Sequence, residues 1–243
     1  MIKIFPDAQS LNQFAAETFI EIAAEAIKER GKFTVALAGG STPKSLYQLI
    51  TTAEFRSQID WSKVFFFFGD ERNVLPDAEE SNLRMARENL LKSLQIAEDQ
   101  IFRWQTELED ADKIAADYEK KIKTFFNLKE YEFPRFDLIL LGIGDDGHTA
   151  SLFPFTEALG ETKKVAVANR VEKLCAMRLT FTFATINNAS NVIFLARGAA
   201  KGDVLREVLR GDAQPEKYPA QKVKLKNGRL LWLIDEKAAN NLK

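Results

Sequence analysis

Apolar-rich runs recur along the chain: Phe33 to Ala38, Val64 to Phe68, Leu138 to Leu141, Asn191 to Ala196 and Leu230 to Ile234. Runs without polar alternation suit parallel strands covered on both faces. Between them lie segments with helical period. After Ser10, which forms a capping-box pattern with Gln13, residues Leu11, Phe14, Ala15, Thr18, Phe19, Ile22, Ala23, Ala26 and Ile27 repeat at helical spacing, and Gly31 is a natural stop. Thr42 followed by Pro43 predicts a second helix start, and Ser81 a third, carrying Leu83, Leu90, Leu91 and Leu94. Glu107 to Phe126 reads as a helix with acids first and Lys120, Lys121 and Lys123 last, matching its dipole. Two further strands are expected at Val165 to Ala168 and Ala176 to Phe183; in the second, Arg178, Thr180 and Thr182 alternate with Leu179, Phe181 and Phe183. Residues 98–106 read as a connection with a short strand around Ile101 to Trp104, and 211–219 as a loop. Strands alternating with helices predict an α/β protein: a three-layer, Rossmann-like, open and mostly parallel sheet with helices on both faces, with 1–243 as a single domain.

Composition narrows the function classes. With 46% hydrophobic residues in 243, the chain can bury a sizeable core. A net charge of −1 gives no basic field for nucleic acid or an anionic membrane. Cys175 is the single cysteine, so an internal disulfide is excluded; it reads as a small core residue, and the chain as one suited to a reducing compartment. MIKIFPDAQSLNQ does not have the pattern of a signal peptide, and no apolar run approaches the ~20 residues that span a bilayer. The expectation is a cytoplasmic protein, monomeric or weakly self-associating.

Candidate chemistry collects where strands end in glycines. Leu138 to Leu141 leads into Gly142, Gly144 and Gly147, and directly after these stands His148, the sole histidine. Ligands of open α/β sheets bind just past the carboxyl ends of strands, and histidine is the side chain that titrates near neutrality. Asp146 is its nearest acid. Gly142, Gly144 and Gly147 also fit a dinucleotide fingerprint, but Pro154 follows too soon for a crossover helix, which disfavours a nicotinamide site. Phe33 to Ala38 runs into Gly39-Gly40-Ser41, a strand, glycine turn and capped helix that suit a phosphate, or equally a plain tight turn. Val64 to Phe68 ends at Gly69-Asp70-Glu71-Arg72-Asn73, which places Asp70 and Arg72 at the same rim. Arg178 on its strand face, and Lys201 in the first turn of the last helix, where a cation opposes the dipole, both hint at an anion.

Taken together, AGGSTP at 38–43, GDERNVLPD to SN at 69–82, GIGDDGHTASLFP at 142–154 and RLTFT at 178–182 resemble the 6-phosphogluconolactonase family, in the wider group that includes glucosamine-6-phosphate deaminase. The resemblance covers nearly the whole chain. It implies hydrolysis of a sugar-phosphate lactone, 6-phospho-D-glucono-1,5-lactone, to 6-phosphogluconate, with neither metal nor organic cofactor. One histidine cannot build a usual multi-histidine metal site, which agrees. The deaminases, by resemblance, carry a glutamate shortly after the matching histidine; residues 149–154 here hold no carboxylate, so the lactonase pattern fits better. On this reading His148 is the general base, Asp146 orients it or binds a sugar hydroxyl, and Arg72 stabilises the oxyanion. Asp70 holds Arg72 or a hydroxyl, and Gly39, Gly40, Ser41, Arg178 and Lys201 bind the substrate phosphate. The alternatives are a glucosamine-6-phosphate deaminase and a non-catalytic sugar-phosphate sensor, which would not need His148 and Asp146.

Overall fold

Nine strands and seven α-helices succeed one another in the computed structural model, which describes residues 1–242. In chain order they are β1 (Ile2–Phe5), α1 (Ala8–Arg30), β2 (Phe33–Leu37), α2 (Ser41–Ile50), α3 (Ala53–Arg56), β3 (Val64–Phe68), β4 (Asp70–Arg72) and α4 (Asn82–Ala86). Then come α5 (Ala111–Phe126), β5 (Leu138–Leu141), β6 (Ala166–Val171), β7 (Ala176–Phe181), α6 (Phe183–Ile186), β8 (Asn191–Ala196), α7 (Gly202–Leu209) and β9 (Arg229–Asp235). Six strands form one sheet in the order β1-β9-β8-β5-β2-β3, with every neighbouring pair parallel. Each residue of β2 and β5 is buried, as strands covered on both faces must be. α1 and α2 pack together against this sheet, and α5 lies against β6 and β7. The chain therefore has the open, mostly parallel α/β architecture that the apolar runs predict.

The sheet order reverses between β2 and β5. From β2 the chain steps outward to β3, whereas β5 leads the other way to β8 and β9. A crevice opens at the carboxyl ends there, the usual ligand position in such sheets. Buried hydroxyls hold the strand ends firmly. The Tyr47 hydroxyl donates to the Ala38 carbonyl at 2.9 Å and accepts from its N–H at 3.0 Å. At β3, the Tyr118 hydroxyl accepts from the Phe68 N–H at 2.9 Å, and Trp104 Nε1 donates to the Phe68 carbonyl at 3.1 Å. At the amino end of β5, buried Asp137 accepts from the Thr34 N–H and hydroxyl, each at 2.8 Å, and from Arg30 at 2.9 Å.

Several elements depart from expectation, each for a local reason. β1 carries no sequence signal, yet pairs with β9 at the sheet edge. α1 is capped by Asp7, which accepts from the Ser10 N–H, so Ser10 lies inside the helix. α2 begins at Ser41 because Gly40, at φ 99°, makes the reversal. Thr42 therefore caps nothing, and Pro43 sits in the first turn, where its missing N–H costs little. The helix expected from Glu107 starts at Ala111 under Asp110, because Glu109 at φ 62° breaks the preceding turn. Around Ile101 only a single bridge to Phe66 forms. β7 ends at Phe181 because Thr182 caps α6, and β6 extends to Val171. Thr180 and Leu179, on opposite faces of β7, are both buried. Lys201 closes a tight turn ahead of α7 and is not in its first turn. Cys175, expected in the core, is exposed at a left-handed position, φ 47°, between β6 and β7. The largest difference is a second sheet: β4, β7 and β6 pair antiparallel in that order.

Candidate active site

Two loops and the small sheet enclose the crevice at the β2 and β5 ends. The loop after β5 is tightly tied: the Gly147 N–H donates to the Gly144 carbonyl at 3.0 Å, and the Gly144 N–H to the His148 carbonyl at 2.9 Å. Gly147 takes φ 80°, a conformation that glycine adopts without strain. Gly144 is required by contact, since a Cβ there would stand 2.1 Å from His148 Nδ1 and Cε1. The imidazole thus lies close against the Gly144 backbone. The same ring stacks on Phe153, with centroids 4.0 Å apart.

His148 Nδ1 lies 2.5 Å from Asp146 Oδ1. An ionised carboxylate only accepts, so Nδ1 carries the proton and Nε2 keeps its lone pair. Burial, aided by the cations Lys201 and Arg178 against the carboxylates Asp70 and Asp145, lowers the imidazole from 6.5 to about 4. The ring is neutral at pH 7, with Nε2 free of any hydrogen bond among the described residues. Lys173 donates to the second oxygen of Asp146.

Asp70 is the buried anion of the site. Ser151 Oγ donates to its Oδ2 at 2.8 Å, and burial raises its carboxyl although Ser151, Arg72, His148 and Arg178 oppose the change. Its neighbour Glu71 points away from the crevice. It accepts from the N–H groups of Asn82 and Leu83 at 2.8 and 2.9 Å, and burial still pushes it up to about 7. Glu71 thereby fastens the start of α4 beneath the site. Asn82 Nδ2 donates to the Asp70 carbonyl at 2.9 Å, and Gly39 must be glycine because a Cβ there would meet Asn82 Oδ1 at 2.0 Å.

Arg72 and Arg178 are direct partners in the β4–β7 ladder, so the two cations stand side by side. Like charges at such positions repel. Burial, and then Arg72, lower the Arg178 guanidinium from its ordinary value. An anion bound between them would relieve both effects. Lys201 reaches the same cleft and pairs with exposed Asp145.

The sequence-predicted residues Gly39, Gly40, Asp70, Arg72, Asp146, His148, Arg178 and Lys201 line one cleft of about 700 Å³. Ser41 stands outside that lining; its carbonyl accepts from Arg197 at 3.1 Å. Sequence reasoning missed Asn82, Ser151, Phe153 and Lys173, all of which line the cleft. The first three lie in stretches whose polarity and glycine spacing already drew attention. Lys173 has no such signal, because 27 residues separate it from the acid it touches.

Residues 6–232 match the model of a family described as glucosamine-6-phosphate isomerases/6-phosphogluconolactonase. A Synechocystis protein named 6-phosphogluconolactonase is 44% identical over 220 residues, 90% of this chain and 88% of the relative. A Nostoc protein of the same name is 40% identical over 99% of this chain and 98% of its own. Among solved structures, the 6-phosphogluconolactonase of Trypanosoma brucei superposes with a TM-score of 0.89 at 32% identity, covering 100% of this chain and 98% of that one.

Proposed function

Because the chain belongs to the glucosamine-6-phosphate isomerase/6-phosphogluconolactonase family, we propose that it hydrolyses 6-phospho-D-glucono-1,5-lactone to 6-phosphogluconate, in the oxidative branch of the pentose phosphate pathway. The observation that carries this reading is the neutral imidazole of His148, tied through Nδ1 to Asp146, in one cleft with paired arginines. The reaction needs a base near neutrality and a seat for a phosphate, and it uses only side chains of the protein.

His148 Nε2 takes a proton from water as the water oxygen bonds to lactone C1. The carbonyl oxygen becomes an oxyanion, and Asp146 stabilises the imidazolium. The C1–ring-oxygen bond then breaks, and Nε2 returns its proton to the departing ring oxygen. Such acid–base help contributes about 10²–10⁴-fold. Arg178, with Gly39, Gly40 and Lys201, holds the 6-phosphate, whereas Ser41 stands outside the cleft lining; the shared register of Arg72 supports a part for it in the same anion site as well as at the oxyanion. Asp70, held by Ser151, accepts from a sugar hydroxyl. The amino-sugar reaction is disfavoured because residues 149–154 supply no carboxylate.

The test is hydrolysis of freshly generated lactone, followed by an NADP-coupled dehydrogenase, with spontaneous opening subtracted and His148→Ala run alongside. Wild type above background with the variant at background supports both reaction and base. Equal activity of the two would leave the reaction standing and remove His148 from it. Wild type at background would overturn the lactonase reading.

A further inference from the structure

The turn that joins β6 to β7 projects one side chain across the cleft wall. Lys173 Nζ donates to Asp146 Oδ2, while Asp146 Oδ1 takes the Nδ1 proton of His148. The same ammonium sits 5.1 Å from the centroid of Phe153, whose ring stacks on the imidazole. Lys173 therefore contacts both Asp146 and Phe153, the two side chains that hold His148. Both oxygens of the Asp146 carboxylate are thus engaged, and the imidazole packs against Phe153 and close to the Gly144 backbone.

We propose that Lys173 is a positioning residue, which locks Asp146 and Phe153 about His148 so that Nε2 stays directed into the cleft. The proposal rests on the role given to His148 above. Stability alone does not explain the contact: the lysine side chain is half exposed, and exposed ion pairs contribute about 0–1 kcal/mol. Its consequence lies in orientation and in charge. The groups facing His148 are the carboxylates Asp70, Asp145 and Asp146 and the cations Lys201 and Arg178. Lys173 adds a cation one carboxylate away. Removing it leaves Asp146 uncompensated and favours the imidazolium.

The experiment uses Lys173→Met and Lys173→Arg in the full chain. Because His148 is the only histidine, NMR gives one imidazole titration curve that needs no substrate. We expect Lys173→Met to raise the His148 pKa and to lower kcat roughly tenfold, a part of the usual general-base contribution, with KM little changed. Lys173→Arg should restore both. A Met variant that titrates and turns over as wild type overturns the proposal, as does one altered in KM alone or an Arg variant no better than Met. Wild type without lactonase activity would remove the functional reading instead, and the titration would still decide whether Lys173 governs the imidazole.

Discussion

At the scale of single residues, His148 makes the sharpest predictions. Burial lowers its imidazole from 6.5 to about 4, so the base is deprotonated over the whole neutral range. The kcat/KM profile should be level from pH 6 to 8 as far as this group is concerned, and fall as pH drops through about 4. Proton linkage has the same sign. The unfolded chain takes up the histidine proton near 6.5 and the folded one only near 4, so stability present above 6.5 is lost as pH falls through that window. Thermal melts of wild type should therefore decline more steeply between those pH values than melts of His148→Gln. Gly144→Ala tests the contact beneath the ring. Its Cβ would stand 2.1 Å from the imidazole, so kcat should fall at least about tenfold as Nε2 is displaced.

Among elements, the β4–β7 ladder carries the binding argument. Setting Arg72 against Arg178 places two cations together, an arrangement that disfavours the empty site by several tenths of a kcal/mol or so. Arg178→Met should consequently melt no lower than wild type without ligand, yet raise KM with kcat near normal. Inorganic phosphate should raise the melting temperature of wild type and have a smaller effect on the variant. If Arg178→Met abolished turnover at saturating substrate, the arginine would belong to the chemistry and not to binding. A different junction concerns stability alone. Asp137 ties β5 to β2 and to the end of α1 through Thr34 and Arg30. Asp137→Ala leaves the buried Thr34 N–H unpaired and should cost about 1–3 kcal/mol in urea unfolding.

For the whole molecule, the two sheets share one apolar interior. Phe181 of β7 stacks on Phe136, just before β5, at 5.3 Å and on Tyr118 of α5 at 6.0 Å. Residues of both sheets belong to the same buried cluster. We propose on this ground that the chain is a single domain, and calorimetry should give one cooperative transition; two resolved transitions would divide it. No helix among the described residues is long and apolar enough to cross a membrane.

Much of this was legible in the sequence because the signals are local. The bounds of β3 and β5 follow from apolar runs that nothing polar interrupts, and β8 is apolar after its first residue. Glycines after strands, with a histidine or an acid beside them, marked the cleft, since glycine there answers a demand of the backbone itself. The three-stranded antiparallel sheet was not legible. β4 is three polar residues, and only pairing with β7 makes it a strand. Cys175 looked like core until the β6–β7 turn placed it in solvent. Sequence determined which residues stand at strand ends. Tertiary structure alone decided that Arg72 would lie against Arg178 and Lys173 against Asp146, because contacts between distant residues depend on how elements pack, and no periodicity records that.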